Sequence, residues 1–295
     1  MKRFFLLTVL SVCLPVLCSA QAVNMLIPSD ARTAGFAAAG AALDADAFVS
    51  ARNVSAAALS ERSGSFGLAY DKWAPSSSSI GIVGFGGYYK FGKLAVALDG
   101  RYLNEKPYDI ISNVSKVIGT YKPKDMMAGL GLAYGVTETL SIGFAGRFFS
   151  SDIAEKVKGS AFCADVNATF RKGGLSAMAG VSNLGSKINY GGSSYALPAL
   201  AKAGAAYSIS GFTASAEADY LFSGAFMAGL GLEYCFADIA SLRAGYHYGD
   251  AAKALPSFAS LGLGLQYSGF SLDFAFLTAS ETLGNTILFG LGYSF

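Results

Sequence analysis

The sequence predicts an all-β, antiparallel transmembrane β-barrel of about fourteen strands with a short, partly helical N-terminal plug. Three observations carry that expectation. The 295 residues are 53% hydrophobic and only 14% charged, well under the ~25% charge usual in a soluble domain. Beyond the N-terminus no run of ~18 apolar residues occurs, so no membrane-spanning helix is encoded. Finally, a leucine–glycine phrase with a period of two recurs along the chain, as Gly129-Leu-Gly-Leu-Ala-Tyr134, Gly229-Leu-Gly-Leu-Glu-Tyr234 and Gly262-Leu-Gly-Leu-Gln-Tyr267. Each phrase builds a strand whose leucine face ends in an aromatic and whose other face is small, as a lipid-facing wall with an interfacial girdle requires.

Taken in order, residues 1–20 read as a secretory signal. Lys2 and Arg3 are followed by an apolar stretch over 4–17 and by Cys18-Ser19-Ala20, a small-residue cleavage site. Cleavage near Ala20 removes two of the 22 basic residues and none of the 20 acidic ones, which leaves a formal charge of zero. No basic excess supports nucleic-acid binding. A lipoprotein signal at Cys13 or Cys18 is the alternative, but Val12 and Leu17 stand where a small residue is needed.

Residues 21–62 are alanine-rich and do not alternate. Ser29 or Asp30 is placed to cap one short helix, and 50–60 to form another. The segment is too small-sided to span a membrane and reads as a plug. A periplasmic tail is the plainer alternative.

Residues 63–295 form the barrel. Alternating segments occur at 65–71, 79–90, 93–103, 125–136, 139–149, 159–170, 174–183, 200–208, 212–222, 225–236, 241–248, 260–267, 270–277 and 285–295. Short joins alternate with longer polar ones at 104–124, 150–158, 186–197 and 249–258, so the short turns face the periplasm and the longer loops face outward. The second segment, with Gly81, Gly84, Gly86 and Gly87, fits neither phase and is expected to carry a bulge. The last strand ends on Phe295, an aromatic terminus that resembles the signal read by the barrel insertion machinery.

A lipid-facing Arg or Lys at mid-depth costs ~2–4 kcal/mol, so the large apolar phase faces out and the ionisable phase lines the lumen. That places Asp99, Arg101, Arg147, Glu217, Asp219 and Arg243 inside, beside glycines such as Gly129, Gly229, Gly262 and Gly290. Arg32, Asp44, Asp46 and Arg52 of the plug are expected to meet Asp99, Arg101, Asp219 and Arg243 there. Such an interior, short of large apolar groups, leans against a greasy track for solutes. No Cys/His cluster with metal spacing exists, no cofactor motif is present, and Cys163 and Cys235 fall four strands apart, which favours free thiols. His247, the only histidine, shares the lumen phase of Arg243, while a lipid-active Ser/His dyad would need the lipid face. No enzymatic activity is expected.

Two stretches resemble the PorV/PorQ family, Bacteroidetes outer-membrane barrels related in fold to the fatty-acid channel FadL. Asp30-Ala-Arg-Thr-Ala-Gly35 with Ala39-Gly-Ala-Ala-Leu-Asp44 is similar to that family's Arg-x-x-Gly and Gly-x-Ala opening. Gly180-Val-Ser-Asn-Leu-Gly185 is similar to its Asn-Leu-Gly phrase. Asn53-Val54-Ser55-Ala56 keeps the Asn of the family's Asn-Pro-Ala and lacks the Pro. The resemblance implies an outer-membrane location, contact with outer-membrane lipid, and protein partners in a type IX secretion or surface-attachment complex. For FadL-like relatives it implies instead the passage of hydrophobic small molecules through a side opening in the wall.

Overall fold

The computed structural model describes residues 22–112 and 116–295; the expected signal sequence lies outside the described residues. Fourteen antiparallel strands close into a barrel. In chain order the first are β1 (Gly64–Trp73), β2 (Ile80–Phe91) and β3 (Leu94–Asn104). A small hairpin, β4 (Tyr108–Ile111) and β5 (Val117–Tyr121), stands in the connection to β6 (Lys124–Gly135), β7 (Leu140–Ala154), β8 (Val157–Lys172) and β9 (Leu175–Gly185). A second one, β10 (Ile188–Tyr190) and β11 (Ser193–Tyr195), precedes β12 (Leu200–Ile209), β13 (Phe212–Leu221), β14 (Ala225–Phe236) and β15 (Ala240–Gly249). The barrel ends with β16 (Phe258–Tyr267), β17 (Phe270–Thr278) and β18 (Thr286–Ser294), and β18 closes on β1 through a register from Ser65↔Ser294 to Lys72↔Ile287. Every neighbouring pair is antiparallel and the ring of strands closes, so backbone groups along the wall pair between strands, as a hydrocarbon environment demands, except where β9 outruns β12 at its outer end.

The outside is the apolar phase. Phe66, Leu68, Leu98, Leu130, Phe144, Phe162, Leu230, Leu261 and Leu291 are all exposed on the wall. Tyr134, Tyr234 and Tyr267 ring one rim, where an aromatic belt meets the interface. Among the described residues no helix is long and apolar enough to cross a membrane. Tight turns join the strands at that rim. Ser210-Gly211 and Ser268-Gly269 have positive φ at both positions of a two-residue hairpin, the geometry that matches strand twist, and Ala237-Asp238 have it within the three-residue connection 237–239.

Two expectations about the wall need correction. The second strand carries no bulge: it pairs without a register shift to both β1 and β3. Its phase looked mixed because Ile80, Ile82 and Tyr88 point inward with Gly84 and Gly86, while Val83, Phe85 and Tyr89 point out. Nor is 150–158 a loop. β7 and β8 stay paired beyond Ser150↔Ser160 as far as Ala154↔Val157, because an antiparallel ladder continues in water when its side chains are polar. The register shifts of the wall lie elsewhere, between Asp152 and Ala154 near the outer end of β7 and in β9. There Ala164↔Leu184 is followed by Val166↔Val181, so Ser182 and Asn183 together oppose Asp165, and Asn183 takes φ 58.

Candidate functional site

The lumen enclosed by the wall has two layers of opposite chemistry. The half facing the tight turns holds most of residues 28–62, while residues 22–27 reach the outer half, where the Asn24 amide donates to Asp125 at 2.8 Å. Asp30 caps the helical turn Ala31–Gly35, its carboxylate accepting from the Thr33 backbone N–H at 2.8 Å and from the Thr33 and Ser29 hydroxyls at 2.8 Å each. Glycines then allow the segment to lie directly on the wall. A Cβ on Gly231 would come 2.7 Å from Phe36, and one on Gly143 would come 2.6 Å from the Ser55 nitrogen.

Inward polar side chains bind the segment's backbone. The Ala41 N–H donates to Glu217 at 2.7 Å, Ser215 donates to the Ala39 carbonyl at 2.7 Å, and Ser260 to the Gly35 carbonyl at 2.9 Å. Arg101 donates to the Ile27 and Pro28 carbonyls at 2.8 and 3.2 Å, and Arg147 to the Ser50 carbonyl. Asn53 bridges the Ala41 carbonyl and Thr169, both at 2.8 Å.

The charges do not pair as the sequence suggested. Arg32, Asp46 and Arg52 pair among themselves and with Asp30: Arg52–Asp46 at 2.8 Å, Arg52–Asp30 at 3.3 Å and Arg32–Asp46 at 3.3 Å. Asp44 meets Arg171 at 3.0 Å, not one of the four expected lumen charges. Part of the wall charge pairs within the wall, although one carboxylate oxygen each of Asp71, Asp99 and Asp219 and the Arg101 Nε are buried without a partner among the described residues. Arg243 holds Glu233 and Asp273, both at 2.5 Å, Arg147 holds Asp165 and lies 3.9 Å from Asp99, and Lys202 holds Glu217 at 2.9 Å. The reason is reach. Backbone groups of the segment sit directly on the wall, so its own short acidic side chains find the arginines of the same segment first. Burial opposes the charge on Asp46, but the adjacent Arg52 and Arg32 outweigh it and hold the carboxyl below its ordinary value of 3.8. Arg52 is likewise pushed up by Asp46 and Asp30 against the effect of burial.

The other half of the lumen is apolar, which the sequence reading did not anticipate. Trp73, Ile82, Leu103, Phe149, Leu221, Met227, Phe258, Leu277 and Leu288 all point inward and pack together with Ile27 of the N-terminal segment and with Leu197, Leu255 and Leu283 of the outer connections. Most sit near the outer end of their strand, though Phe149 lies five residues before the end of β7. Part of their signal lay in the phase: Leu103, Leu221, Met227 and Leu288 each stand next to an exposed aromatic, whereas Trp73, Ile82 and Phe258 do not.

Two cavities flank the segment. A vestibule of about 600 Å³ opens beside Arg32, Asp46, Ser176, Arg243 and Ser294 toward the tight-turn rim. A smaller cavity of about 90 Å³ lies deeper, between Arg52, Arg101, Lys202, Asp219 and His247. His247 is 3% exposed and stacks on Phe258 at 4.9 Å; among the described residues neither of its ring nitrogens has a hydrogen-bond partner, so no Ser–His dyad forms. Cys163 and Cys235 are free thiols. Among the described residues no cluster of potential ligands could hold a metal ion.

The apolar layer reaches the wall at one seam. β9 pairs with β8 as far as Cys163↔Gly185, but with β12 only as far as Ser182↔Leu200. Asn183–Gly185 therefore has a strand partner on one side only. Only a side chain crosses the gap: the Asn183 amide donates to the Pro198 carbonyl at 3.2 Å, while the Asn183 N–H turns to Asp165 of β8, on the paired side, at 2.8 Å. Leu197 and Leu200 lie buried just inside, and Leu184 is exposed just outside.

Fold and lumen define a closed fourteen-stranded membrane barrel that is polar and filled at one end and apolar at the other. Among solved structures it is similar to the toluene transporter TbuX of Ralstonia pickettii, with a TM-score of 0.67 at 12% identity over 91% of this chain and 98% of that one. The P. putida toluene transporter TodX gives a TM-score of 0.67 at 10% identity, covering 92% and 99% of the two chains. A FadL homologue of Pseudomonas aeruginosa gives 0.60 at 12% identity, covering 91% and 96%. No protein-family model matches the chain, and no curated protein does. The chain thus has a FadL-like barrel fold.

Proposed function

We propose that this protein is a non-enzymatic outer-membrane channel that admits hydrophobic small molecules. The observation that carries the reading is the inward apolar layer under the outer connections, lying against the one-sided seam at Asn183–Gly185. An apolar solute leaves water for that layer with a gain of ~25 cal/mol per Å² of buried surface. From there the seam offers the shorter way out, into the lipid, because the path to the periplasm is blocked by residues 22–62 and their buried ion pairs. The likeness to transporters of toluene supports the same reading at the level of fold. In it, residues 21–62 act as the plug, and residues 1–20 direct the chain across the inner membrane.

The type IX secretion role that the PorV/PorQ resemblance implies rests on sequence phrases alone, and one of these has a local structural cause. Asn-Leu-Gly at 183–185 is the bulge itself, where Asn tolerates the left-handed backbone. Binding of a fluorescent apolar probe to the purified barrel, displaced by toluene, tests the transport reading. Leu221→Asp, which puts a charge into the apolar layer, should abolish it. Probe binding unchanged in Leu221→Asp would sink the proposal, and co-purification of secretion components from the native envelope would favour the accessory role.

A further inference from the structure

The outer rim is electrically lopsided. Residues 105–124 and 152–158 carry six lysines and four acidic residues, whereas 250–257 and 279–285 carry one lysine and two acids. Within the basic sector three charges share one row on the outward face of adjacent strands. Lys124 is directly opposite Asp152, and Asp152 directly opposite Lys158. The lysine ammonium groups lie 3.7 and 3.4 Å from the Asp152 carboxylate, and their side chains remain 51% and 58% exposed. One carboxylate shared between two lysines leaves an uncompensated positive charge on the wall.

Beneath that row the same face changes character in steps. Two residues along each strand come Met126, Ser150 and Ser160, and two further along come Ala128, Phe148 and Phe162, the two rings 5.0 Å apart. At ~3.3 Å per residue the charged row stands roughly 13 Å above the rings. The hairpin β4–β5 leans over the row, its Tyr108 hydroxyl donating to the Ile153 carbonyl at 3.0 Å, and brings Lys106, Lys116 and Lys122, all exposed, into the same sector. Cation, hydroxyl, then apolar ring, in that vertical order, mirrors an amphiphile with phosphate, polar linkage and acyl chain.

We propose that this sector, the outer faces of β6, β7 and β8 under the β4–β5 hairpin, is a binding site for a phosphorylated glycolipid of the outer leaflet. Lys124 and Lys158 hold its phosphate and the Phe148–Phe162 wall holds its acyl chains. The partner follows from charge complementarity at a membrane interface, where lysines with apolar stems and free ammonium groups meet lipid phosphates. The proposal rests on insertion of the barrel in an outer membrane and is independent of what the lumen carries.

The test uses the full mature barrel in mild detergent, with binding of bis-phosphorylated lipid A and of its dephosphorylated form measured by native mass spectrometry. At about 1 kcal/mol per lysine near an anionic surface, Lys124→Ala with Lys158→Ala lowers the affinity for phosphorylated lipid A about thirty-fold, taking ~1.4 kcal/mol per decade. Asp152→Asn, which frees both ammonium groups, raises it. Lys253→Ala on the opposite rim leaves it unchanged. Heat-modifiable gel migration identical to wild type shows that each variant is folded. Equal binding of the dephosphorylated lipid, equal binding of phosphatidylglycerol, or wild-type affinity in the double variant would overturn the proposal, whatever the result of the probe-binding test of the lumen.

Discussion

Arg52→Ala removes the cation around which the N-terminal segment is folded. The guanidinium lies 2.8 Å from Asp46 and 3.3 Å from Asp30, and also donates to the Asp44 carbonyl at 3.3 Å. Its side chain is 5% exposed and that of Asp30 3%, so the alanine variant leaves a buried carboxylate without its partner. Breaking a buried pair in that way costs about 3–5 kcal/mol. Asp46 is 23% exposed and keeps Arg32 at 3.3 Å, which places the cost at the lower end. A loss of ~3 kcal/mol raises the undocked fraction of the segment roughly a hundredfold. Planar-bilayer recordings read this as frequent open events in a channel that is otherwise nearly silent, and limited proteolysis reads it as cleavage within 22–62. Arg52→Lys, which retains one charge without the guanidinium fork, falls between the two. An Arg52→Ala protein as silent and as protected as wild type would refute the reasoning, because the ion cluster would then contribute nothing to docking.

The same cluster sets a pH dependence. Asp46 is held below its ordinary value of 3.8, so its stabilisation of the docked segment is complete above that value and is lost as pH falls through the lower, folded one; open events should increase only in that acid window. Gly143→Leu drives a side chain into the Ser55 nitrogen, 2.6 Å from the Cβ position, and should release the segment while the barrel keeps its heat-modifiable migration. Deleting 21–62 should leave a folded barrel with a stable pore, and equal conductance of both forms would place the segment outside the conducting path. Cys235 lines the vestibule whereas Cys163 is buried, so a polar maleimide should label the first and spare the second in the intact protein; equal labelling would mean the segment does not stay docked.

Much of the wall was legible because a membrane barrel writes its faces with a period of two. Leu130, Leu230 and Leu261 face out and Gly129, Gly229 and Gly262 face in, as alternation requires. The inner apolar layer was not legible. Trp73 and Leu221 stand at strand ends and Phe149 where the alternation in the sequence fades, and a hydrophobic residue there reads equally as a girdle member or as an inward one until its register is known. The seam was hidden for a related reason. Gly180–Gly185 alternates well enough to be a strand, and only pairing with two neighbours reveals that one partner stops at Ser182. Partner choice among charges was beyond sequence too. Asp46 and Arg52 are six residues apart and pair locally, whereas the expected long-range pairs required knowing that backbone, not side chain, faces the wall.

In the proposed transport reading, apolar molecules leave the lumen through the seam beside Asn183. The direct measurement is transfer of toluene into lipid by the barrel in proteoliposomes, with the seam closed covalently. In a background of Cys163→Ser and Cys235→Ser, Asn183→Cys and Pro198→Cys would be joined by a short bifunctional thiol reagent. Joining them is expected to suppress toluene transfer, reduction of a cleavable linker to restore it, and neither step to change the heat-modifiable migration. Undiminished transfer through the joined seam would contradict that reading.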